Sequence, residues 1–262
     1  DVFHDQLKYS YLGNWETRTG NSNIETAHLR NYLRKRRYSD ELIKKALFEL
    51  TKVSEDQSKS LYDINKAVYS LLRYGVKVSP GAGENNETVW LIDWKNPEKN
   101  NFGIAEEVTV KGLHDKRPDL VLYVNGIALG VIELKRSTVS ISEGIRQNLD
   151  NQKQLFIRSF FTTIQLVMAA NETEGMRYGV IETPEKHFLN WQEPSGIENL
   201  LERQIVKVCE KNSFLELIHD FIVYDAGIQK ICRHNQYFGV NTSEENLKRR
   251  EGGISWNTQG SG

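Results

Sequence analysis

Residues 117–137 read RPDLVLYVNGIALGVIELKRS, and the fold turns on how this stretch is paired. Val121-Leu122-Tyr123-Val124 and Ile127-Ala128-Leu129 flank Asn125-Gly126, the strongest short-range signal for a β-hairpin. One strand opens with Pro118-Asp119 and the other closes with Glu133-Leu134-Lys135. Side chains alternate along a strand, so Glu133 and Lys135 share a face, and Ile132 and Leu134 are expected to enter the core from the other. The register decides where Asp119 falls. A regular two-residue loop pairs Asp119 with Ile132 and sends its carboxylate to the face opposite Glu133. A three-residue loop, or a bulge elsewhere in the strands, brings the two carboxylates to one face. A site shared by the two carboxylates therefore requires one of these two irregularities, and one of them is predicted.

The surrounding chain alternates in period. Apolar residues at steps of three and four predict helices between Asn23 and Leu50, with a helix start at Ser39-Asp40-Glu41, and another from Leu61 to Leu72. Strands are predicted over Val76–Val78, Val89–Trp94, Glu106–Lys111, Pro118–Val124 and Ile127–Lys135. Further strands are expected over Ile164–Ala170 and Arg177–Ile181, a helix over Ser142–Phe156, and mostly helix beyond Ile197. Helices flanking a mixed sheet make an α/β fold.

With 262 residues, 39% hydrophobic and 26% charged, the chain has an ordinary globular composition and enough length for a large core. The net charge of -1 does not mark the whole chain as a polyanion binder, which leaves any such role to a local patch or to partners. Cys209 and Cys232 form no metal-binding pair, and the six histidines show no HxxxH spacing. No apolar run is long enough to span a bilayer and no signal peptide opens the chain; together with the cysteine usage this predicts a cytoplasmic protein. Arg34-Lys35-Arg36-Arg37 closes the first helix, where cations complement the helix dipole or meet a phosphate.

Two carboxylates on one strand face can hold Mg²⁺, which prefers oxygen ligands and keeps several waters. A lysine beside them can orient or deprotonate a water, or offset negative charge in a transition state. Asp119 and Glu133 are the expected metal ligands, with the Leu134 carbonyl a third candidate, and Lys135 is the expected catalytic cation. A second acid-x-Lys triplet, Asp93-Trp94-Lys95, lacks a paired Pro-Asp strand and reads as a solvated strand end.

The hairpin resembles the PD-(D/E)xK restriction-endonuclease-like core. More narrowly, it is similar to the N-terminal nuclease region of the restriction (motor and nuclease) subunit of type I restriction-modification enzymes. GNSNIETAHLRNYLRKRRYSDELIKKAL, SISEGIRQNLDNQ and FFTTIQLVMAANETEGMRYGVI carry the same resemblance, which covers nearly the whole chain. It implies Mg²⁺-dependent cleavage of double-stranded DNA, coupled in the intact enzyme to ATP-driven translocation, with methyltransferase and specificity subunits as partners. It also implies that Gln147 and Asn151 contact DNA, at the positions of a QxxxY motif whose tyrosine is replaced by Asn151. Glu25 is implied as an extra metal ligand. The terminal GGISWNTQGSG resembles the approach to a Walker A loop. On that reading residues 1–225 form the nuclease domain and 226–262 begin an ATPase domain, with Gln236, Gly260 and Gly262 as nucleotide contacts. The competing reading is a degenerate nuclease fold that only holds DNA or docks the methyltransferase.

Overall fold

A computed structural model describes residues 2–81, 83–193 and 196–250. In chain order the elements are β1 (Ser10–Asn14), α1 (Thr26–Lys35), α2 (Asp40–Ser54), α3 (Leu61–Tyr74), β2 (Val76–Val78) and β3 (Glu87–Val89). They continue with β4 (Phe102–Glu106), β5 (Leu120–Val124), β6 (Ile127–Lys135), α4 (Ile141–Asn151), β7 (Leu166–Asn171), β8 (Gly175–Gly179) and β9 (Leu189–Asn190). The last are α5 (Leu200–Cys209), α6 (Lys211–Phe221), β10 (Ile222–Asp225), β11 (Ile228–Ile231) and α7 (His234–Arg249).

Seven strands form one mixed sheet in the order β1-β4-β5-β6-β7-β8-β9. The β1–β4 and β6–β7 pairs are parallel, and the others antiparallel. The parallel β6–β7 step needs a crossover, and α4 supplies it while packing on both strands. The expected α/β fold is observed, with helices around a mixed sheet of the restriction-endonuclease-like kind. Alternation along β5 splits the core in two. Leu120, Leu122 and Val124 pack with the residues of α1, α2, α3 and α6. Val121 and Tyr123 face a second cluster with Trp15, Phe160 and Phe161.

The β5–β6 hairpin has a two-residue turn, with Asn125 (φ 55°) and Gly126 (φ 89°) both left-handed, the type I′ pattern. The three-residue loop is not used. Instead Tyr123 pairs with Ala128 while Leu122 pairs with Gly130, so Leu129 is an extra residue in β6. Beyond this bulge Leu120 pairs with Ile132, and the next step sets Asp119 against Glu133.

The turn is buried, and its polar groups are consumed by neighbouring segments. The Asn125 side chain donates to the Leu91 carbonyl (2.9 Å) and to Asn100 Oδ1 (2.8 Å), and accepts from the Asn101 amide (2.7 Å). The Gly126 carbonyl accepts from the Glu25 amide at 2.8 Å. A buried turn fully bonded in this way fixes the hairpin at its closed end.

Several boundaries differ from the pattern-based expectation. The strand expected over Val89–Trp94 lies earlier, at Glu87–Val89, because Leu91 and the Asp93 amide turn inward to bond Asn125 and Asn100. The strand expected over Glu106–Lys111 lies earlier, at Phe102–Glu106, and ends where Glu107 becomes left-handed (φ 51°). The fourth helix stops at Asn151, short of Phe156. Strand β1 and the β10–β11 hairpin were not expected, since SYLGN and IVYD are short and lack clear alternation. The expected domain boundary at 225/226 falls in the tight turn of that hairpin.

Replacing Gly126 with alanine adds strain at positive φ and drives a Cβ to 2.8 Å from the Glu25 carbonyl oxygen and 2.9 Å from the Leu29 nitrogen. Gly83 also has positive φ, but nothing lies within 4 Å of its would-be Cβ. In urea denaturation Gly126→Ala should lose about 2–4 kcal/mol and Gly83→Ala roughly 1 kcal/mol. Equal losses would contradict the buried turn.

Candidate active site

The bulge brings Asp119, Glu133 and Lys135 together at the open end of the hairpin. Asp119 is half-buried, and its Oδ2 accepts from the Leu134 amide at 2.6 Å, which holds the carboxylate across the β5–β6 boundary. Glu133 is only 1% exposed. Its Oε1 accepts from Lys135 Nζ at 2.9 Å, while Oε2 is buried and has no hydrogen-bond partner. Burial, and then the neighbouring Asp119 carboxylate, push the Glu133 carboxyl up to about 7, against the pull of Lys135. Leu134 departs from expectation: at the strand end it is 42% exposed and leaves the core to Ile132.

Helix α4 supplies the rest. Ser140 caps it, its hydroxyl accepting from the Ser142 amide, and the helix lies against β6 and β7. Gln147 Oε1 accepts from Lys135 Nζ at 2.7 Å, so the ammonium is held between a carboxylate and a carboxamide. Gly144 gives this pair its space. A Cβ there would lie 3.4 Å from Lys135 Cγ and 3.5 Å from Glu133 Cγ. Gly144 was not among the expected site residues, although a glycine inside a helical pattern signals close packing.

Other expected residues lie elsewhere. Glu25 sits at the turn end, where the Gly126 carbonyl bonds its amide, and its carboxylate is taken by Arg18 in two contacts of 2.9 and 2.6 Å. About 20 Å of β6 separates it from Glu133, at ~3.3 Å per residue. It therefore does not join the pair as a metal ligand. Asn151 is wholly buried, because the inward stripe of α4 runs through Gly144, Asn148 and Asn151. It cannot reach DNA from there, unlike the half-buried Gln147 one turn earlier. Gln236 lies in the first turn of α7, where its Oε1 accepts from the Arg233 amide at 2.8 Å. Gly260 and Gly262 lie outside the described residues. Asp93 is no solvated strand end: it is 8% exposed and paired with Arg36 at 3.0 Å.

The donor set suits a small hard cation. Among the described residues no group of three acidic, histidine or cysteine side chains gathers, so a metal here would be held by the two carboxylates with water filling most of its shell. Mg²⁺ is commonly held by one or two carboxylates with water completing its shell. The orphaned Glu133 Oε2 and the adjacent Asp119 leave negative charge that such an ion would balance.

The raised Glu133 carboxyl has a measurable consequence. The folded protein holds this proton more tightly than the unfolded chain, whose group titrates near the ordinary 4.5. Its stabilising contribution is full below that pH and is lost as pH rises through about 7. In metal-free protein, Glu133→Gln should therefore gain about 2–3 kcal/mol on wild type between roughly pH 4 and pH 8. Urea titrations at the two pH values check this, and a constant gap would contradict it.

The chain is 28% identical over 242 residues to a putative type I restriction enzyme MjaVIIIP endonuclease subunit of Methanocaldococcus jannaschii, covering 86% of this chain and 23% of that protein. It is 25% identical to the type I restriction enzyme HindI endonuclease subunit of Haemophilus influenzae, over 76% of this chain and 21% of the relative. With the EcoprrI endonuclease subunit of Escherichia coli it shares 25% identity over 150 residues, 53% of this chain and 47% of that one. The chain thus spans less than half the length of each of these relatives. The family model described as type I restriction enzyme R protein N terminus matches residues 1–186, well over half of the chain. The protein belongs to that family, and the carboxylate hairpin lies within the matched residues.

Proposed function

We propose that this chain is the nuclease part of a type I restriction subunit and cuts phosphodiester bonds of double-stranded DNA with Mg²⁺ held by Asp119 and Glu133. The observation that carries this reading is the single face on which the bulge at Leu129 gathers two carboxylates and a lysine. The relatives' names as endonuclease subunits support it.

A bound Mg²⁺ supplies Lewis acidity toward the phosphoryl oxygen and lowers the pKa of water. The chain's own residues do the rest. Asp119, pinned by the Leu134 amide, keeps its oxygens aimed at one place. Glu133 would hold the ion in its charged form, so the working site would need the deprotonated state of a group that burial holds near 7. Lys135, tethered by Gln147 and Glu133, is set to orient the attacking water or to offset charge on the phosphate. Tethering lowers the reorganisation needed when substrate arrives.

By the same family resemblance, cleavage is coupled to ATP-driven translocation by a motor that follows this region, with Gln236, Gly260 and Gly262 at its start. Methyltransferase and specificity subunits then supply sequence recognition. This division of labour suits a chain of net charge -1. Among the described residues no helix is long and apolar enough to cross a membrane.

The test uses the full subunit assembled with its partners on unmethylated plasmid. Asp119→Ala and Lys135→Ala should each lower cleavage by roughly 10²-fold or more while ATP hydrolysis and DNA binding persist. Normal cleavage by both variants would leave a binding or docking module of nuclease fold.

A further inference from the structure

Two sequence features take no part in the proposed cleavage, the basic run at Arg34–Arg37 and the Asp93-Trp94-Lys95 triplet. Arg36 of the first and all three residues of the second meet in one place. A cavity of about 760 Å³ opens where the ends of α1 and α3, the 90–99 segment and α6 converge, with Arg36, Arg73, Trp90, Trp94, Lys95 and Lys99 in its lining. That volume is typical of ligand sites. The cavity lies at the turn end of the β5–β6 hairpin, where Asn125 bonds Leu91, and so at the far end of β6 from Glu133.

Its floor is rigid. Asp93 is buried, its Oδ2 meeting Arg36 at 3.0 Å and its Oδ1 accepting from the Asn96 amide at 3.0 Å. The remaining carboxylates in the lining are also engaged. Glu216 accepts from Asn241 (2.9 Å) and from the Tyr237 hydroxyl, and Asp220 pairs with His219 Nδ1 at 2.6 Å. Among the described residues Arg73, Lys95 and Lys99 have no carboxylate partner, and Arg73 bonds only the Tyr69 hydroxyl, at 2.9 Å. Beside these cations the Trp90 indole is 41% exposed. Trp94 is fixed by its Nε1–H on the Leu72 carbonyl (2.8 Å) and by His219, 4.9 Å away between ring centroids.

Exposed indole next to unpaired cations suits a ligand that is planar at one end and anionic at the other. We propose that this cavity binds a nucleotide unit, with its base against Trp90 and Trp94 and its phosphate on Arg73, Lys95 and Lys99. A free nucleotide and a DNA strand both present that chemistry.

Calorimetric titration of the chain with AMP, inorganic phosphate and a short oligodeoxyadenylate, at low salt and without divalent metal, separates the sources. Binding should weaken as salt rises. Trp90→Ala and the Lys95→Ala/Lys99→Ala pair should each weaken it about tenfold, and Trp90→Phe should retain most of it. These side chains are exposed, so unchanged melting temperatures will show that the variants fold. A tighter grip on the oligonucleotide marks a strand site, and equal affinities mark a free nucleotide. Phosphate bound as tightly as AMP would remove the base from the proposal. Failure of both AMP and oligonucleotide to bind at millimolar concentration, or affinities indifferent to the variants, would overturn it.

Discussion

One extra residue, Leu129, sets the relation between the two carboxylates. Without it the Asn125-Gly126 turn would pair Asp119 with Ile132 and leave the acids on opposite faces of the sheet. The bulge is tolerated because both affected side chains find the same core. Leu129 belongs to the larger apolar cluster, and a Cβ at Gly130 would meet Met168 and Phe214 of that same side. Two successive positions thus face one way, and from Val131 onward alternation resumes with its phase inverted. The turn cannot absorb this shift, because buried hydrogen bonds to the 91–101 segment and to Glu25 hold it.

The open end of the hairpin is built at a cost to stability. Glu133 is buried with one oxygen unpartnered, and its attraction to Lys135 only partly offsets desolvation and the nearby Asp119. The strain falls where the proposed chemistry needs concentrated negative charge, as at functional sites in general. The closed end is the opposite case: Asn125 and Asn100 satisfy one another and the backbone around them. A rigid end and a charged end of one hairpin divide support from chemistry.

Much of this was legible in the sequence. The hairpin followed from alternation and from Asn125-Gly126, and the need for an irregular register followed from asking that Asp119 and Glu133 share a face. The choice between a longer loop and a bulge did not, since it depends on which residues bury the turn, and Leu91, Asn100 and Glu25 are distant in sequence. Glu25 and Asn151 were misplaced for a related reason. A carboxylate's partner, Arg18, and the inward stripe of α4 are set by packing, which residue spacing records only loosely. The β10–β11 hairpin was missed because its four-residue strands are too short to establish a period.

Proximity of the two acids is the claim on which the rest stands, and the ionisation of Glu133 reports it directly. Carboxyl-carbon NMR titration of metal-free wild type should place Glu133 near 7, with the midpoint falling in Asp119→Asn as the neighbouring charge disappears. An unchanged midpoint would mean that the carboxylates do not share a face, and the site as described would not exist.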